Sequence, residues 1–240
     1  YVKPEMQALD AQAKEAGIII LNELGLDPGI DHMSAMRIID NVHNRNGKIE
    51  EFYSICGALP APEVANNPFK YKFSWSPKGV VMAGNNDGKY LRYGKVVEVP
   101  TENLFKNPLK VDFDKVGMLE VYPNRDSISY IDIYGIPETK TMMRGTFRFK
   151  GWCESIDAMK QLRLISYDKF DMSGMTYAQF MAHQIGAADA TAIKSKVAAY
   201  LKLDVDALAI SAIEWLGLFE DKAMDRGVDS PFEVTSDLMI

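Results

Sequence analysis

Two short stretches hold most of the residues that could do chemistry. Positions 142–150 read as an extended run in which Arg144, Thr146 and Arg148 point one way. Met143, Gly145, Phe147 and Phe149 point the other. Guanidinium groups and a hydroxyl on one face can serve a ligand rich in carboxylates, but the pattern by itself favours a sheet with one solvated face. Upstream, Pro123-Asn124-Arg125-Asp126-Ser127 sets an amide beside a guanidinium at the start of a short helix. Asp126 or Ser127 can cap that helix, which leaves Asn124 and Arg125 for a carboxylate. Asp27 lies in the turn Gly25-Leu26-Asp27-Pro28-Gly29, where by pattern it caps the next helix, and Asp31 is a first-turn charge. Cys56 closes an extended segment and reads as a core thiol, and Tyr1 and Trp75 read as core or edge aromatics.

Other chemistries are missing from the pattern. None of the seventeen glycines forms a Gly-x-Gly pair, so no dinucleotide fingerprint is present, and there is no Gly-Lys-Ser/Thr phosphate loop. His32, His43 and His183 lack metal-ligand spacing with each other or with cysteine, and His32 is expected to pack locally. The chain is therefore expected to carry no metal and no tightly held nucleotide of its own. A net charge of −6 leaves no basic face for nucleic acid. No apolar run is long enough for a membrane-spanning helix. Cys56 and Cys153 are too few for a disulfide framework, which points to a reducing, cytoplasmic setting.

The elements that must position these residues follow from periodicity. Residues 4–16 and 30–44 read as amphipathic helices, and the apolar run 18–21 between them as a buried strand. Extended segments are expected at 48–56, 70–75, 89–92, 96–100, 117–122 and 139–150, with a short helix at 126–134. After Gly151 the pattern turns helical, at 152–164, 176–185, 189–202 and 205–217, with no strand. The expected fold is α+β: a mixed-sheet unit over residues 1–150, then an all-helical unit over 151–240. Both ends read as cut from a longer chain, the start lacking an initiator Met and the end breaking off within a helical pattern.

Five strings in order carry a resemblance: Gly25-Leu26-Asp27-Pro28-Gly29-Ile30-Asp31-His32-Met33, Cys56-Gly57-Ala58-Leu59-Pro60-Ala61-Pro62-Glu63, Tyr71-Lys72-Phe73-Ser74-Trp75-Ser76-Pro77, Tyr122-Pro123-Asn124-Arg125-Asp126-Ser127 and Arg144-Gly145-Thr146-Phe147-Arg148-Phe149. Together they resemble the glutamate-forming saccharopine dehydrogenases, also called saccharopine reductases, and the C-terminal half of the bifunctional aminoadipic semialdehyde synthases. The likeness is dense over residues 1–151 and thins beyond, where Glu214-Trp215-Leu216-Gly217-Leu218 still fits. Ala58 departs from it, since the family usually has a second glycine there.

The resemblance implies an NAD(P)-dependent oxidoreductase of lysine metabolism whose dinucleotide-binding Rossmann domain lies outside this chain. It assigns residues 1–150 to substrate binding and homodimer contacts. In the implied reaction glutamate and aminoadipate semialdehyde condense to an imine, whose reduction yields saccharopine. By resemblance, Asp27 stands beside the reacting centre and Leu26 and Asp27 touch the nicotinamide. Tyr1, Cys56, Gly57, Trp75, Asn124, Arg125, Arg144 and Thr146 are assigned to the substrate. Two rival readings remain, a reductase for another amine–aldehyde pair such as carboxynorspermidine and a non-catalytic assembly module.

Overall fold

The computed structural model describes residues 2–239. Its N-terminal helix is broken in two: α1 (Pro4–Gln7) and α2 (Asp10–Glu15) are separated by a turn at Ala8 and Leu9. Ile18, Ile19, Ile20 and Leu21 form no strand and stand exposed, Ile19 at 89%. The buried strand expected there fails because a strand needs a ladder partner, and none of the described strands comes alongside. Helix α3 (Ile30–His43) then buries Ala35 and Ile39 in a small core with Ile49, Tyr134, Ile136 and Met142.

The sheet is mixed and six-stranded: β1 (Glu51–Cys56), β2 (Gly88–Arg92), β3 (Lys95–Val99), β4 (Leu109–Phe113), β5 (Gly117–Pro123) and β6 (Thr141–Phe149). Strand β6 is its hub. β1 runs parallel to it, and β5 runs antiparallel along its second half. β2 reaches it at Leu91 and Met142, with β3 and β4 completing two outer hairpins. Residues 70–75 join no ladder. Tyr71 instead exchanges backbone hydrogen bonds with the Asn67 amide and turns its ring into the core. Helix α4 (Pro77–Ala83), absent from the periodicity reading, starts where Ser76 Oγ accepts the Gly79 N–H with Pro77 in the first turn. Helix α5 (Ser129–Ile133) is shorter than the pattern suggested.

Helices α6 (Trp152–Gln161), α7 (Tyr177–Gln184), α8 (Ile193–Leu201), α9 (Leu208–Trp215) and α10 (Pro231–Leu238) fill the rest of the chain. They are not alone, because Phe170–Asp171 (β7) pairs with Val228–Asp229 (β8) in a short ribbon. The structure is thus α+β. A single large core joins Trp152, Met159, Phe180, Val197 and Ile213 of the helices to Phe69, Tyr71, Val81, Phe105 and Tyr122. No helix among the described residues is long and apolar enough to cross a membrane.

Candidate functional site: a cleft across strand β6

The register of the sheet decides which side chains meet. Cys56 of β1 and Tyr122 of β5 both stand opposite Thr146 of β6. Because side chains alternate along a strand, Arg144, Thr146 and Arg148 share the face that carries these two. A cleft of about 680 Å³ opens over this face. Of the residues singled out by sequence, Leu26, Asp27, Cys56, Gly57, Trp75, Asn124, Arg125 and Thr146 all line it. Tyr1 lies outside the described residues.

Local geometry fixes each wall. An added Cβ at Gly57 would come within 2.8 Å of the Phe147 carbonyl oxygen, so only glycine lets the chain after β1 hug β6 here. Trp75 lies against Gly79, where a Cβ would stand 2.7 Å from its ring. The 124–127 turn is tied on two sides. Asn124 N–H donates to the Arg144 carbonyl at 2.9 Å and Lys89 N–H donates to the Arg125 carbonyl at 2.8 Å. Arg125 itself has a left-handed backbone, φ 54°. Asp126 caps the short helix by accepting the Ile128 and Ser129 N–H groups. Ser127, the other capping candidate, is buried and accepts the Arg144 N–H instead.

Arg144 does not line the cleft. Its guanidinium is buried, lies 4.2 Å over the Tyr130 ring, and donates through Nη2 to Asp27 at 2.8 Å and Asp31 at 2.9 Å. Both carboxylates meet one nitrogen, while Nε of Arg144 is buried without a partner. Asp27 does not cap α3 either. Gly29 occupies the N-cap position without a side-chain bond, and Asp31 Oδ1 accepts the Gly29 N–H at 2.7 Å. Burial, followed by the charges of Asp27 and Asp31, pushes the Cys56 thiol upward, so it is poorly suited to act as a nucleophile.

Arg148 is the second arginine of that face. It is 5% exposed and lies against the rings of Tyr71 (4.7 Å), Trp152 (5.0 Å) and Tyr122 (5.8 Å). Nη1 donates to the Phe147 carbonyl, Nε has no partner, and no carboxylate lies within ion-pair distance among the described residues. The Tyr71 hydroxyl beside it is also buried and unpartnered. Buried donors without acceptors are costly unless a ligand supplies one. Tyr71, Tyr122 and the α4 residues Met82 and Ala83 were not assigned from sequence. The Ser76-Pro77 start signal was the readable clue to α4. Ala58 also lines the cleft.

The cleft is thus bipolar, with Asp27 held over Arg144 at one end and Arg148 in its aromatic cage two alternations along the strand, roughly 13 Å away by strand rise. Arg125 and Asn124 project from the turn between β5 and α5. No group of three or more His, Cys, Asp or Glu among the described residues could hold a metal.

Comparison with known proteins places this geometry. The model of the saccharopine dehydrogenase C-terminal domain matches residues 25–240. The mitochondrial alpha-aminoadipic semialdehyde synthase of Bos taurus is 40% identical over 233 residues, which cover 94% of this chain and 25% of the relative. The NADP(+), L-glutamate-forming saccharopine dehydrogenase of Saccharomyces cerevisiae is 40% identical over 238 residues, 95% of this chain and 53% of the relative. The structure of the apo, histidine-tagged yeast L-Glu-forming enzyme superposes with a TM-score of 0.86 at 34% identity, covering 100% of this chain and 55% of that one. The chain spans about half the length of the yeast relative and a quarter of the bovine one. With the domain model matched over nine-tenths of its residues, this chain belongs to the saccharopine dehydrogenase C-terminal domain family.

Proposed function

We propose that this chain is the substrate-binding part of a glutamate-forming saccharopine dehydrogenase, which interconverts saccharopine with aminoadipate semialdehyde and glutamate. The observation that carries the reading is the bipolar cleft, with Arg148 buried in its aromatic cage with an unpartnered Nε at one end and Asp27 at the other. Saccharopine presents three carboxylates around a secondary amine, so it needs cations at the periphery and an anion near the reacting nitrogen. In this reading Arg148 and Arg125 take carboxylates, and Asn124 and the Thr146 hydroxyl complete their hydrogen bonds. Asp27 holds the amine at the reacting carbon, and Trp75 and Tyr122 keep bulk water from it. Residues 1–150 supply the substrate wall and 151–240 the helical backing that carries Trp152.

A nicotinamide dinucleotide would supply or accept hydride in this reaction. The residues present fit only its ring end, where exposed Leu26 and half-buried Pro28 offer an apolar edge beside Asp27. A pyrophosphate is normally held by a glycine-rich turn at a helix N-terminus, and the 240 residues contain no Gly-x-Gly pair. The chain alone should therefore bind saccharopine or glutamate weakly and NADPH not measurably.

Calorimetry of the purified chain with each ligand tests this reading. Micromolar NADPH affinity would reveal a nucleotide site within these residues. Steady-state assay of the whole protein with saccharopine against carboxynorspermidine separates the first rival. Loss of both activities would favour an assembly module.

A further inference from the structure

Asp31 lies outside the cleft, yet its carboxylate is nearly buried, with 7% of the side chain exposed. It shares one nitrogen of Arg144 with Asp27, at 2.9 Å and 2.8 Å. Two anions on one buried cation leave this trio with a net charge of −1. With Asp27 alone, Arg144 would neutralise it and the nearby end of the cleft would carry no net charge. With Asp31 present the guanidinium is divided, and Asp27 keeps part of its charge uncompensated toward the cleft.

We propose that Asp31 is a positioning residue that, by competing for Arg144, turns the Asp27 end of the cleft into an anionic well for a ligand amine in its cationic form. This rests on the reading that Asp27 faces the ligand amine, and it adds a residue that touches neither ligand nor cleft.

The surroundings preserve the excess charge. Arg144 is 4% exposed, so water screens the trio far less than a surface pair. His32 has Nδ1 3.8 Å from Asp31, but that nitrogen is hydrogen-bonded to the Tyr134 hydroxyl at 2.8 Å. Its other nitrogen is 3.6 Å from Glu23, which adds a further carboxylate on that side. Tyr130 and Tyr134 pack against the guanidinium and imidazole as aromatic faces. Cys56, in the cleft wall, already registers the field, its thiol being raised by burial and then by Asp27 and Asp31, with Arg144 opposing.

Asn at position 31 removes the charge and keeps an acceptor for the Gly29 N–H that Asp31 Oδ1 accepts, while its amide nitrogen replaces the oxygen that accepts from Arg144. Two measurements on the 240-residue chain read the result. The first is the rate of Cys56 alkylation by iodoacetamide at pH 8, with Cys153 buried and unreactive. Removing a neighbouring negative charge lowers the thiol pKa and enlarges the thiolate fraction, so Asp31→Asn should speed alkylation about three- to tenfold. The second is calorimetry with saccharopine and with glutarate, which has carboxylates and no amine. Asp31→Asn should weaken saccharopine roughly tenfold and leave glutarate unchanged.

Asp31→Glu, which restores the charge, should return both readings toward the parent. Where Asn does not fold, Asp31→Ser keeps an acceptor for Gly29 and gives the same two readings. A folded neutral variant with parental alkylation and parental saccharopine affinity overturns the inference. If Asp27→Asn weakens saccharopine while Asp31→Asn does not, the inference alone falls. If Asp27→Asn also binds like the parent, the amine-facing reading of Asp27 falls with it.

Discussion

The Ser127 hydroxyl, with no exposed surface, accepts the backbone N–H of Arg144 at 2.8 Å and so ties the turn carrying Asn124 and Arg125 to strand β6. Alanine there leaves that N–H buried and unsatisfied, at a cost of about 1–3 kcal/mol. Urea unfolding of Ser127→Ala should show a lower midpoint with an unchanged slope. Saccharopine affinity should fall as well, because the turn loses its anchor. A parental midpoint would show that the bond adds nothing to stability.

Arg125 is expected to grip a carboxylate with two nitrogens, a geometry that a lysine ammonium does not reproduce. In the whole protein, Arg125→Lys should raise the KM for saccharopine by about one to two decades, the loss of one charge-assisted contact of roughly 1.5–3 kcal/mol. An unchanged KM would remove Arg125 from the substrate.

Arg148 invites a trade-off between stability and binding. Among the described residues no carboxylate lies within ion-pair distance of its buried charge, so exchange for a similar apolar side chain removes a desolvation penalty. Arg148→Met should keep or raise the urea midpoint while saccharopine binding weakens about tenfold or more. A large loss of stability would mean that the aromatic cage of Tyr71, Tyr122 and Trp152 needs the guanidinium.

Glu138 gives a defined pH dependence. It accepts the Ile49 N–H at 3.0 Å and pairs with His43 Nε2 at 2.8 Å, and these contacts, the backbone bond first, lower its carboxyl from 4.5 to about 2. A depressed carboxyl stabilises the fold above its unfolded value and loses that contribution as pH falls through the folded one. Parent and Glu138→Gln should therefore differ in stability at pH 6, and the gap should close between about 4.5 and 2. A gap that persists at lower pH would assign the difference to packing.

We propose a homodimer for the intact sheet. Tyr53 and Phe113 stand 45% and 48% exposed on strands of this sheet, and the Phe113 ring lies 5.8 Å from that of Phe147. By register these residues belong to the face away from the cleft. Light scattering at tens of micromolar should give twice the chain mass. A monomer would count against the pairing.

How far each feature could be read from sequence depended on the range of the interactions behind it. Strand alternation alone placed Arg144, Thr146 and Arg148 on one face, and turn chemistry narrowed the helix cap to Asp126 or Ser127, because both effects act within a few residues. The five linked strings were enough to identify the family. What the three β6 residues do was decided by what covers each position. The turn before α3 and the start of that helix bring Asp27 and Asp31 onto Arg144, more than a hundred residues away in sequence. Tyr71 and Trp152, from two other segments, close over Arg148. The same limit explains residues 18–21 and 70–75, where apolar or aromatic composition suggested strands. A strand exists only when another backbone supplies the facing hydrogen bonds, and propensity carries no information about where that backbone lies. Which side chains can be buried is written in their chemistry, but which charges meet in the buried cleft is settled only when distant segments pack.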